Sequence, residues 1–127
     1  MNREKVIFAF FIVLALTLNF GFFVGEIDNP EHHDVMELFL ATVVSFICTL
    51  LKFGDRSHLG ALMLATSLVA DLQLIIAATI WGYGEHIAAS GMTPRLMASV
   101  VSFAGGALLA NIISVILLML ETVLIRR

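Results

Sequence analysis

Four long stretches of this sequence leave almost no room for charge. They cover about residues 6–24, 35–53, 59–81 and 96–120. The first and fourth hold no charged residue, the second only Glu37 near its start and Lys52 at its end, and the third only Asp71. A bilayer core of roughly 30 Å is crossed by a helix of about 20 apolar residues. Lipid offers no partner for a free backbone group, so such segments are helices or strands of a closed barrel. These are too long and too continuous for barrel strands, which run to about ten residues of alternating character. The reading is an all-α membrane protein, a single four-helix transmembrane domain over residues 1–127. Composition agrees: the chain is 60% hydrophobic and 13% charged, against roughly 25% charged in soluble domains. A net charge of −3, with no basic run beyond Arg126-Arg127, speaks against a nucleic-acid partner. The partner it demands is the lipid bilayer.

The connections are short. Residues 26–34 carry the turn signal Asn29-Pro30, residues 54–58 open on Gly54, and residues 82–94 hold three glycines and Pro94. Such links join antiparallel neighbours, which predicts an up-down-up-down bundle. Arg3, Lys5, Lys52, Arg56, Arg126 and Arg127 fall on one side of the membrane, and Arg95 on the other. By the positive-inside rule both termini face the cytoplasm. The apolar run after Asn2-Arg3-Glu4-Lys5 ends in Phe22-Phe23-Val24-Gly25, a poor cleavage site, so the first span reads as a retained anchor.

Helices associate in lipid through close packing of small residues. The fourth span repeats Ala98, Ser102, Gly106, Ala110 and Ser114 every four residues; the first ends in Thr17, Gly21 and Gly25; the second offers Ala41, Ser45 and Thr49. These stripes predict tight contacts, within the chain or between copies. Phe8, Phe10, Phe11, Phe20, Phe22 and Phe23 surround the first span and predict lipid exposure.

Asp71 is the sharpest chemical feature. An acid near the bilayer midplane costs about 2.5–3.5 kcal/mol to insert and marks a functional site by default. Burial away from water favours the neutral acid or a bound cation, and no Lys or Arg lies near the middle of a span to neutralise it. Ser67, one turn earlier, can hydrogen-bond to it; Asn111 and Asn19 are further candidates for the same interior. The set reads as a proton or cation site, or as hydrogen-bonded glue between helices. A second, weaker feature is the loop with His32, His33, Asp34 and Glu37, whose side chains suit a divalent metal but match no defined motif. The alternative is that Asp34-x-x-Glu37 caps the second helix and that the loop acids attract cations. No hydrolase or metalloprotease motif is present, Gly105-Gly106 lies inside an apolar helix, and Cys48 sits mid-span. Neither an enzyme nor a cofactor is expected.

The segments MNREKVIFAFFIVLALTLNFGFFVGEIDNPEHHD, LKFGDRSHLGA and ATSLVADLQLI resemble a family of short four-span bacterial inner-membrane proteins of unassigned function. The resemblance covers nearly the whole chain and implies an inner-membrane location. The small multidrug transporters are similar in size and span number, but their essential acid lies in span one, which here has none. Two functions remain open: ion or proton transport by a homo-oligomer with Asp71 as its site, or a non-transporting subunit of a larger membrane complex, such as a cation transporter.

Overall fold

Each apolar stretch closes its backbone hydrogen bonds within itself, and punctuating residues set where it begins and stops. A computed structural model describes residues 3–26 and 28–125, with His32 and Ile125 by backbone alone. Four helices follow in order: α1 (Arg3–Phe23), α2 (Val35–Lys52), α3 (His58–His86) and α4 (Pro94–Ile125). A single 3-10 turn, Pro30–His32, interrupts the first connection. Among the described residues there is no strand. All four helices are long and apolar enough to cross a membrane, the signature of a multi-pass membrane protein.

The helix starts follow capping chemistry. Asp34 accepts from the Met36 N–H at 2.9 Å at the head of α2. Ser57 accepts from the Gly60 N–H at 2.9 Å at the head of α3. Thr93 accepts from the Leu96 N–H at 3.1 Å, and Pro94 takes the first turn of α4, where its missing donor is harmless. After α2, Gly54 adopts φ +91°, a conformation that suits glycine and stops the helix.

Three expectations shift. Helix α3 runs on past Trp81 through Gly82 and Gly84 to His86, so the third connection is shorter than residues 82–94. Gly84 is buried there because α4 comes close: a Cβ would lie 2.8 Å from Met92 Cε and 3.2 Å from Leu96 Cδ1. Gly25 is no packing residue. It follows the end of α1, with φ +116°, and turns the chain. The phenylalanines of α1 divide by face: Phe10 and Phe20 are exposed on the outside of the bundle, whereas Phe8 and Phe22 are buried in the core.

The helices form a ring in which α1 meets α2 and α4, and α3 meets α2 and α4; the α3–α4 contact is the most extensive. Contacts between Thr66 and Ser114 and between Gln73 and Gly106 show that α3 and α4 are antiparallel. Lys5 at the start of α1 pairs with Glu121 near the end of α4 at 2.9 Å, so these two are antiparallel as well.

The stripe on α4 serves largely within the chain. Ser114 and Ala110 are buried, and Gly106 receives the Gln73 side chain, whose Oε1 would lie 2.8 Å from an added Cβ. Ala98 is half-buried and Ser102 is exposed. Gly21 lets the Glu37 carboxylate of α2 rest against α1.

Candidate functional site

The buried apolar side chains fall into two clusters. One contains Phe22, Leu38, Leu74, Met97, Val100 and Ala104. The other contains Phe8, Ile12, Val44, Met63 and Leu118, nearer the termini. Between them, along α1, α3 and α4, lie the buried polar residues Asn19, Ser67, Asn111 and Ser114. Asp71 follows Ala70 of the first cluster, and Ser45 and Thr49 follow Val44 and Cys48 of the second. A polar band therefore crosses the core where the two apolar clusters meet.

Asp71 is 6% exposed. Its carboxyl group faces α2, not its own helix. Ser45 donates its hydroxyl to Oδ1 at 2.6 Å, and Thr49 donates to Oδ2 at 2.5 Å. Ser45 and Thr49 stand one turn apart, so both reach the same acid from one face of α2. The Thr49 hydroxyl also lies 3.1 Å from the Ser45 carbonyl, its other acceptor.

The other candidates take different places. Ser67 is buried, but its hydroxyl makes no hydrogen bond, and Asp71 takes its donors from α2 instead. Asn19 belongs to the α1–α4 contact. With its amide oriented to match its surroundings, it donates to the Ala104 carbonyl at 3.0 Å. Its oxygen then accepts from the Leu108 N–H at 3.1 Å and from Asn111 Nδ2 at 3.3 Å. Asn111 therefore pairs with Asn19, while its own Oδ1 is buried without a partner. The Thr66–Ser114 and Gln73–Gly106 contacts bracket Asp71 and Asn111, which places the two at similar depth on neighbouring helices. The structure thus gathers the four predicted residues into one band but bonds only Asn19 to Asn111. The two donors that hold Asp71 were legible only as part of the Ala41, Ser45, Thr49 packing stripe. Two hydroxyls one turn apart, facing a buried acid on the next helix, were the available signal.

Among the described residues, no group of three His, Cys, Asp or Glu side chains comes together. His33 is buried, with Nδ1 2.5 Å from the Phe22 carbonyl oxygen and Nε2 2.7 Å from that of Glu26, so neither ring nitrogen is left for a metal. Asp34 caps α2 through the Met36 N–H, the Glu37 N–H goes to the Asp34 carbonyl, and the Glu37 carboxylate lies on Gly21, so the cap is a simple one and not a capping box. The side chain of His32 lies outside the described residues.

At the termini end, charge is handled in pairs. Glu121 is 3% exposed and bonded to Lys5. Lys52, also buried, places Nζ 4.5 Å from the centre of the Phe8 ring and 3.4 Å from Asp55. A groove of about 470 Å³ between the first turn of α1 and the last turn of α2 is lined by Lys5, Phe8, Lys52 and Asp55 among others. These groups anchor the end of the bundle and do not reach the polar band.

No curated protein and no solved structure matches this chain. A family model does match, over residues 32–122, which takes in α2, α3, nearly all of α4 and the whole Asp71 cluster. By that match the chain belongs to a family of unknown function (DUF6394).

Proposed function

We propose that this protein is a bacterial inner-membrane protein that binds and passes a proton or small cation as a homo-oligomer, with Asp71 as its intramembrane site. The observation that supports this most is the buried Asp71 carboxyl group, held by Ser45 and Thr49 inside a membrane-spanning bundle. An ionisable residue at that depth is expensive and is characteristic of ion pathways and proton relays. Both side chains bonded to it are hydroxyls, oxygen groups of a kind that suits a proton or a hard cation. The interior of one bundle is filled by the two apolar clusters, so a pathway requires either a second copy or a parting of α2 from α3. The Lys and Arg distribution puts both termini in the cytoplasm.

The test is cation and proton flux into proteoliposomes, wild type beside Asp71→Asn. Flux that disappears in a correctly folded Asp71→Asn preparation is the expected result. Undiminished flux in the variant, or none in the wild type, defeats the proposal.

A second reading, an accessory subunit of a larger membrane complex, rests on the outer part of the α4 stripe, where Ser102 is exposed within the chain. Ser102→Leu should then abolish co-purification with a partner. Gly106 is unsuitable for this test, because it already packs against Gln73 of the same chain.

A further inference from the structure

The His33 ring is buried, and both of its nitrogens face oxygens that can only accept. Nδ1 is 2.5 Å from the Phe22 carbonyl and Nε2 is 2.7 Å from the Glu26 carbonyl. A neutral imidazole has one N–H and one lone pair. In this geometry either tautomer would aim that lone pair at a carbonyl oxygen. Only the doubly protonated ring donates to both. The acceptors are also suited to a cation: Phe22 lies at the C-terminal end of α1, where unpaired carbonyls carry the negative end of the helix dipole. The Phe22 ring packs against the imidazole with centroids 5.4 Å apart.

We propose that His33 is a proton-operated clasp that ties the end of α1 to the entry of α2. Protonated, it bonds to both carbonyls and folds the turn back onto Phe22. On losing a proton it must give up one bond, and the connection loosens at the corner where Phe22 enters the core. The described charged residues of the connection include the acid Asp28. Glu26 and Glu31 belong to the same connection, Asp34 is the next residue, and from α2 Glu37 reaches Gly21, beside Phe22. From α3 and α4 this corner receives the apolar cluster that encloses Phe22. The clasp is separate from the Asp71 site, and its test does not depend on transport.

The experiment is nuclear magnetic resonance of the full chain in detergent micelles across a pH series. The His33 ring signals are assigned by their loss in His33→Gln. Exchange of the Val24 and Asn29 amide protons is followed in parallel, corrected for the intrinsic effect of pH. Asn29 donates to the same Glu26 carbonyl as His33. The expected result is a doubly protonated ring at low pH. As it loses its proton, amide protection should fall roughly fivefold, the worth of one net hydrogen bond, with no such step in His33→Gln. A ring that is neutral at low pH while the turn stays protected overturns the proposal. So does a ring that never loses its proton, or protection that ignores the loss. The wild-type measurement decides this even if the variant fails to fold.

Discussion

Removing the hydroxyls that hold Asp71 should weaken the α2–α3 contact by a predictable amount. The structure gives one bond from Ser45 at 2.6 Å and one from Thr49 at 2.5 Å. In a soluble protein a hydrogen bond to a charged group contributes about 1.5–3 kcal/mol. In a bilayer, interhelical bonds average about 0.6 kcal/mol and reach about 1.7, because separated helices remain in lipid and find other partners. The smaller scale governs here, so each bond should show a coupling of about 0.6–1.7 kcal/mol. The two differ in detail. Thr49 can fall back on the Ser45 carbonyl, 3.1 Å away, so its coupling to Asp71 should be the weaker. The assay is a double-mutant cycle of unfolding in mixed micelles, pairing Ser45→Ala or Thr49→Val with Asp71→Ala. Thr49→Ser should retain most of the wild-type coupling. Couplings below about 0.3 kcal/mol for both pairs, the level at which independent sites add, would refute the reasoning.

Other outcomes follow from the packing. Gly60→Ala should destabilise the protein by about 1–3 kcal/mol, because the new Cβ would fall 2.2 Å from Asp55 Cγ, and Asp55 is held in place by Ser57. Gly21→Ala should cost less in the same unfolding assay, since the atom it meets is the far end of the flexible Glu37 side chain. The Ser57 backbone N–H, with help from its hydroxyl and Lys52, holds the Asp55 carboxyl below its ordinary value of 3.8. Its contribution to stability is therefore complete above that value and is lost as pH falls through the lower folded one. Acid unfolding curves of wild type and Asp55→Asn should accordingly converge at low pH and separate above it. Lys5→Met should destabilise more than Glu121→Gln, because it takes the ion-pair partner from a nearly fully buried acid, whereas Lys5 is 32% exposed; thermal unfolding of the two variants compares them directly.

Much of this architecture was legible in the amino-acid order. The number of helices follows from apolar length, since a segment in lipid has to bond its own backbone. Asp34, Asn29-Pro30 and Gly54 mark starts and stops because caps and turns are local chemistry. Asp71 stood out by itself, as the lone charge in its span. Tertiary structure decided what each polar group meets. Ser67 is on the right face of α3 and one turn from Asp71, yet the acid is held by Ser45 and Thr49, because cross-helix register brings two donors to it from α2. Asn19 and Asn111 pair across α1 and α4 for the same reason: their partnership depends on how two helices slide past each other, which residue spacing within one helix does not encode. His33 shows the limit from the other side. Its sequence neighbours suggested a metal, but the fold of the turn delivers two backbone carbonyls to its ring, and backbone groups leave no trace in a pattern of side chains.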